Sequence, residues 1–107
     1  MKFYYKEQLV RTSKTRHYKY AVGAINEDGS LACFSCHETR ESAEKQLQSK
    51  RNECRRIAQN DAAWAKKSEK NLQKCREFYG NDWDPDEHVK NVVSGLGSMK
   101  VFEIEER

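Results

Sequence analysis

From Phe3 to Val10 apolar and polar residues alternate well enough for a strand, and the aromatic side chains there favour one. The same period of two returns from Tyr18 to Ile25. Tyr18, Tyr20, Val22 and Ala24 share one face of that strand, with Lys19, Ala21 and Ile25 on the other. Asn26-Glu27-Asp28-Gly29 reads as a tight turn, because Asp-Gly accepts positive φ at low cost. Leu31 to Cys36 is a third strand, and the three are expected to form an antiparallel meander over residues 2–37.

The period then changes. Thr39 can cap a helix, with Glu41 in the favourable first turn. Ala43, Leu47, Cys54, Ile57 and Ala58 follow as an apolar stripe. Asn60-Asp61 offers an interruption and a second cap, after which Trp64, Ser68, Leu72, Cys75 and Tyr79 recur at helical spacing. Two helices are expected here, with one continuous helix from Thr39 to Tyr79 as the alternative. Gly80 is a stop signal. Asp84-Pro85-Asp86-Glu87 is a strong start: a cap, a proline at the first helical position, and an acid three residues after the cap. A short helix to about Val93 would bury Val89, Val92 and Val93 before Gly95 and Gly97 break it. Met99 to Glu105 alternates again, with Phe102 and Ile104 on one face.

The expected fold is therefore α+β: an antiparallel three- to four-stranded sheet packed with two long helices and one short one. Strand meander 2–37, helical block 39–93 and closing strand 99–105 would make one domain of 107 residues. Only 36% of the residues are hydrophobic and 35% are charged, so the core is thin. Oligomerisation is a natural remedy, and a homo-oligomer is expected. No stretch reads as a targeting signal or reaches membrane-spanning length, which predicts a cytoplasmic protein with reduced thiols and no membrane partner.

The net charge of +3 does not compel nucleic-acid binding, but the charges are segregated. Lys2, Lys6, Arg11, Lys14, Arg16 and Lys19 face a single early acid, Glu7, whereas acids outnumber bases from Asp82 to Arg107. One end can thus steer an anion. Between the first two expected strands, Arg11, Lys14 and Arg16 supply cationic donors and Thr12, Ser13 and Thr15 supply hydroxyls, a mixture suited to phosphate. Arg51 and Arg55 lie one helical turn apart and can clamp one anion. Phe78, Tyr79 and Trp83 cluster near Gly80, where a planar base could stack; core packing is the plainer role for Tyr79. A solvated loop and a solvated helix face are the plainer readings of the two basic groups.

Cys33-Phe34-Ser35-Cys36-His37 matches the c-type haem attachment pattern. On a strand, however, an odd separation points Cys33 and Cys36 to opposite faces, which does not suit haem. A redox pair usually opens a helix, whose dipole lowers the thiol pKa, and Cys36 lies near the Thr39 cap but not in the first turn. Cys54 and Cys75 are too far apart for a second zinc pair and fit the helical stripes as core residues. No metal and no cofactor is expected. With no phosphate loop, nucleophile elbow or carboxylate dyad, the expectation is a protein that is not an enzyme.

Two resemblances give this chemistry a setting. Tyr18 to Leu47, with its Tyr18-Lys19-Tyr20-Ala21-Val22 strand, Glu27-Asp28-Gly29-Ser30 turn and Thr39 helix start, resembles the arm-binding domains of phage integrases and the plant AP2 domain. Those domains lay a sheet in the major groove, which would make nucleic acid the partner. The layout of nearly the whole chain resembles the small phage proteins that counter Thoeris defence by sequestering its nucleotide signal. That resemblance rests on the Lys6-Glu7-Gln8-Leu9-Val10-Arg11-Thr12-Ser13-Lys14 segment, the Tyr18–Val22 strand, the Cys-bearing third strand, two polar helices and a brief closing strand. It implies a non-enzymatic sponge for cyclic ADP-ribose isomers, and in some members cyclic oligonucleotides, built as an oligomer with pockets partly between subunits. It further implies arginines on phosphate and an aromatic on the base. Carried onto this chain, the helical arginine would be Arg51 or Arg55 and the aromatic Phe78. The arginine near the closing strand has no counterpart within residues 100–106, leaving Arg107. With the basic turn, the expected ligand-binding set is Arg11, Ser13, Lys14, Arg16, Arg51, Arg55, Phe78 and Arg107.

Overall fold

The computed structural model describes every residue from Met1 to Arg107. The fold is α+β, with elements in the order β1 (Lys2–Tyr5), β2 (Gln8–Thr12), β3 (Tyr20–Ile25), β4 (Leu31–His37), α1 (Arg40–Lys66), α2 (Glu69–Tyr79), α3 (Pro85–Gly95), a 3-10 turn (Leu96–Ser98), β5 (Lys100–Glu103) and β6 (Glu105–Glu106). The chain divides into two compact units: Met1–Lys50 with Ser98–Arg107, and Arg51–Gly97.

The first unit holds all the strands, in two antiparallel three-stranded sheets ordered β2-β1-β6 and β4-β3-β5. The expected strand from Phe3 to Val10 is instead a hairpin, β1 to β2, with Tyr5 opposite Gln8 and a two-residue loop, Lys6-Glu7. Lys6 takes φ +52°, a conformation that a lysine seldom adopts and that no glycine or asparagine advertises here. The meander is corrected as well: β2 does not pair with β3, and the third strand of the β3–β4 sheet comes from β5 at the far end of the chain.

Residues 100–106 serve both sheets. Val101 and Phe102 lie opposite Val22 and Ala21, whereas Glu105 and Glu106 lie opposite Tyr4 and Phe3. The change of partner falls at Ile104, whose N–H donates to the Lys19 carbonyl at 3.0 Å. Phe3, Ala21, Leu31, Cys36 and Ile104 form the buried cluster, with Tyr5, Val10, Tyr18, Cys33 and Phe102 packed around it. Phe3 meets Tyr18 edge-on at 5.3 Å, and Tyr5 meets Phe102 edge-on at 5.5 Å, an arrangement the ring quadrupoles favour.

One side chain ties the free edges of the sheets together. The Gln8 amide donates to the Leu31 carbonyl at 2.9 Å and accepts from the Leu31 N–H at 2.7 Å, copying a strand's two-point pairing. Gln8→Ala should leave both Leu31 backbone groups unpaired and lower unfolding free energy by about 2 kcal/mol. Urea denaturation would measure this, and Gln8→Glu, which when ionised sets a second acceptor against the Leu31 carbonyl, should not restore the parent stability at neutral pH.

Pairing between β3 and β4 is irregular. Val22 lies opposite Ser35 but Gly23 lies opposite Cys33, so Phe34 is an extra, bulged residue. Gly23 permits this because β4 comes too close for any side chain: a Cβ there would sit 2.1 Å from the Ala32 carbonyl oxygen.

The second unit is helical. Asn60-Asp61 does not interrupt α1, contrary to expectation; the helix runs 27 residues and ends at Lys66. The buried stripe explains its continuity, since Ala58 is followed at helical spacing by Ala62 and Ala65. Ile57, expected in that stripe, is instead 49% exposed. The real break is at Ser68, whose side chain accepts from the Asn71 N–H and caps α2. Trp64 therefore belongs to α1, not to the second helix. Gly80 ends α2 at φ +124°, and Asp84 caps α3 by accepting from the Glu87 N–H at 2.9 Å, as the sequence predicts. No helix is long and apolar enough to cross a membrane.

Candidate ligand-binding site

The basic turn after β2 is organised by Ser13. Its Oγ accepts from the Arg16 N–H at 2.9 Å and from the Thr15 N–H at 3.4 Å, so the hydroxyl is already engaged by its own loop. Ser13 and Lys14 line an open recess of about 420 Å³ with Met1, Lys2 and Thr12. Lys2 and Lys14 give it positive charge. Arg11 is not in that lining; its guanidinium lies 5.8 Å from the Tyr18 ring centre. Arg16 is exposed and is likewise outside the lining.

Arg107 is held at the edge of the β1–β6 pair. It donates to the Lys6 carbonyl at 2.9 Å, lies within 3.3 Å of Glu105 and 3.5 Å of Glu7, and covers the Tyr4 ring at 4.8 Å. Two carboxylates already neutralise it, so it is a poor phosphate ligand and an effective clasp on the β1–β2 loop.

In the second unit, Arg51 donates from Nε to the Leu96 carbonyl at 3.2 Å, and Arg55 donates to the Asn52 side chain at 3.2 Å. Both are half-buried and oriented by these bonds. Neither lines a recess with Phe78.

Phe78 itself is 82% exposed at the end of α2, far more than any other large apolar side chain left in solvent. It borders a recess of about 270 Å³ lined by Asp61 and Trp64 of α1 and by Lys74, Cys75 and Tyr79 of α2. Helical spacing explains the lining: Lys74, Phe78 and Cys75, Tyr79 are two pairs one turn apart. Tyr79 is not a core residue, as the plainer reading had it, but 46% exposed. It stacks on Trp83 at 5.2 Å with 12° between planes and takes Phe78 edge-on at 4.9 Å. His88 completes the cluster against both Tyr79 and Trp83. The aromatic platform is thus packed beneath and open above.

A second recess beside it, about 200 Å³, is lined by Asp82, Trp83, Asp84, Glu87, His88 and Asn91. Three carboxylates make it repel a phosphate. In the first unit another open recess of about 450 Å³ lies over the start of α1, between His37 and Ser49. His37 there is bonded to the Ser35 and Ser42 hydroxyls, each at 2.8 Å; burial and then the Arg11 charge lower its pKa below the ordinary imidazole value.

Sequence reasoning found Phe78 but missed Trp64 and Lys74, the residues that turn an exposed ring into a slot. Assigning Trp64 to the second helix hid its place on α1. The signal for Lys74 was its spacing, four residues before Phe78. No protein-family model, curated protein or solved structure matches this chain.

Proposed function

We propose that this protein binds a small anionic nucleotide and holds it without turnover, as the resemblance to the phage anti-Thoeris sponges implies, with cyclic ADP-ribose isomers as the ligand class. The observation that carries this reading is Phe78: a phenyl ring left in solvent, beside Trp64 and Tyr79, with an ammonium group on the same rim. Covering such a ring with a base is worth about 1–3 kcal/mol. Lys74 offers charge-assisted hydrogen bonds to a phosphate, and Asp61, also in the lining, offers an acceptor for a sugar hydroxyl or exocyclic amine. The recess lies just below the ~300 Å³ at which small-molecule pockets begin, so it receives one ring rather than a whole dinucleotide. A second subunit would supply the remaining contacts, in keeping with the oligomer expected for this class. Sequestration needs neither nucleophile nor metal; affinity alone removes a signal.

Thermal melting of the intact protein against cyclic ADP-ribose isomers, AMP, a cyclic dinucleotide and duplex DNA tests the reading. A saturable rise with a cyclic ADP-ribose isomer, and recovery of that ligand intact after denaturation, is the expected result. Phe78→Ala should weaken that binding about tenfold. Because the ring is exposed, the same variant should leave unfolding free energy within about 0.5 kcal/mol of the parent. Conversion of the ligand would overturn the reading, as would an absence of any nucleotide response alongside steeply salt-dependent duplex binding.

A further inference from the structure

The bulge in β4 has brought together two thiols that strand periodicity alone would keep apart. Cys36 lies opposite Ala21 and Cys33 lies opposite Gly23, and Ala21 and Gly23 are two apart on β3, hence on the same face. Phe34 supplies the extra residue that shifts the phase. Cys33 and Cys36 therefore face the same way, toward the cluster of Phe3, Leu31 and Ile104, with their sulfurs 3.6 Å apart. Their Cα atoms, being opposite residues two apart, are separated by roughly 6.6 Å at the usual strand rise. That lies within the ~4.4–6.8 Å range that disulfides span. Both cysteines are free thiols, Cys33 half-buried and Cys36 buried. No third His, Cys, Asp or Glu side chain joins the pair in a group that could hold a metal.

We propose that Cys33 and Cys36 are a thiol–disulfide exchange site, in which low-molecular-weight disulfides such as oxidised glutathione convert the pair reversibly to an intrachain disulfide. Cys33, the more exposed of the two, is the attacking thiol. Its pKa is pulled down to about 7, chiefly by the hydrogen bond from Cys36 and further by the Arg11 charge and the contact with the Ser35 backbone, against the opposing effect of burial. Cys36 is pushed upward by that same hydrogen bond, by burial and by the charge on Cys33, and so holds its proton until Cys33 has reacted.

The exchange balances in two steps. The Cys33 thiolate attacks one sulfur of oxidised glutathione, the glutathione S–S bond breaks, and one glutathione leaves as a thiolate and takes up the proton from Cys33. Cys36 then loses its proton and attacks Cys33 Sγ, which breaks the mixed disulfide and releases the second glutathione. Two protein thiols lose two electrons and two protons, and one glutathione disulfide becomes two thiols. The Cys33 side chain needs only to turn toward its neighbour, and the registers on either side of Phe34 can stay as they are.

The test is equilibration of the reduced, folded protein in glutathione redox buffers, acid quenching, alkylation and mass spectrometry of the intact chain and its peptides. The expected product is a chain lighter by two hydrogens, carrying no glutathione, with the crosslink between Cys33 and Cys36 and with Cys54 and Cys75 alkylated. Cys36→Ser should trap glutathione on Cys33; Cys33→Ser should slow any modification of Cys36 at least tenfold. Circular dichroism of each variant checks that the fold is retained. Should the folded parent protein end with Cys33 and Cys36 both alkylated in the oxidising buffer, or with glutathione stably attached to Cys33, the proposal is overturned. Nucleotide binding has no part in this readout, so the two readings stand or fall separately.

Discussion

Gly23→Ala should destabilise the protein by about 3 kcal/mol, at the upper end of what forced overpacking costs. The added methyl would meet the Ala32 carbonyl oxygen at 2.1 Å, the Ala32 carbonyl carbon at 3.0 Å and the Cys33 Cα at 3.2 Å. All three are backbone atoms, so no side-chain rotation relieves the clash. Either β4 moves away from β3 or the bulge at Phe34 is lost, and a lost bulge turns the residues on one side of it to the other face of the sheet. A loss of that size lowers the melting temperature by roughly 12–24 °C in a domain of this length. Differential scanning calorimetry gives the answer directly; an unchanged melting temperature would show that β4 can retreat at no cost. A variant that stays folded but has lost the bulge should also lose the proximity of Cys33 and Cys36, which ties the stability of this one glycine to the thiol chemistry.

Phe3→Ala should cost about 3–5 kcal/mol. Phe3 is fully buried, sits on β1, the central strand of its sheet, and is the largest member of the cluster that both sheets share. Its removal opens a cavity that Tyr18, packed on its edge, cannot fill without leaving its own place. Total stabilities of about 5–15 kcal/mol leave little margin for such a loss. Urea denaturation should show a lower midpoint, and Phe3→Leu, which keeps most of the volume, should recover more than half of the difference. Phe78→Ala is the same chemical change at an exposed ring, and it should move the curve by no more than about 0.5 kcal/mol. A Phe3→Ala protein as stable as its parent would mean that the shared cluster does not hold the sheets together.

Local signals were the legible part. Asp84, Pro85 and Gly80 act through neighbours within four residues, so the start of α3 and the end of α2 could be read from the chain alone. The stretches that became β3 and β5 announced themselves by alternation, and β4 by following the Asp28-Gly29 turn. Strand partners could not be read in the same way. Nothing in residues 2–37 says that β2 pairs back onto β1, because the reversal rests on a lysine at positive φ. The phase of Cys33 was misread for a related reason: a bulge is a property of two strands, and Gly23 explains it only once β4 lies alongside. The continuity of α1 through Asn60-Asp61 was hidden because a good cap signal was weighed without the two buried alanines beyond it.

The same limit applies to the candidate site. Phe78 was visible as an aromatic at a helix end, but its partners Trp64 and Lys74 come from two helices whose boundaries had to be known first. Of the basic residues, Arg107 turned out to be spent on Glu7, Glu105 and the Lys6 carbonyl, an arrangement that only the pairing of β6 with β1 creates.

The strand that changes sheets at Ile104 has a consequence for biosynthesis. Phe3 and Tyr4 find their last backbone partners in Glu106 and Glu105, and Ala21 and Val22 find theirs in Phe102 and Val101. As a nascent chain leaves the ribosome, the helices can form as they emerge, but the first fifty residues must wait with an unzipped edge on each half until residues 100–106 are translated. For that interval the open edges of β1 and β3 are templates on which another extended segment could pair.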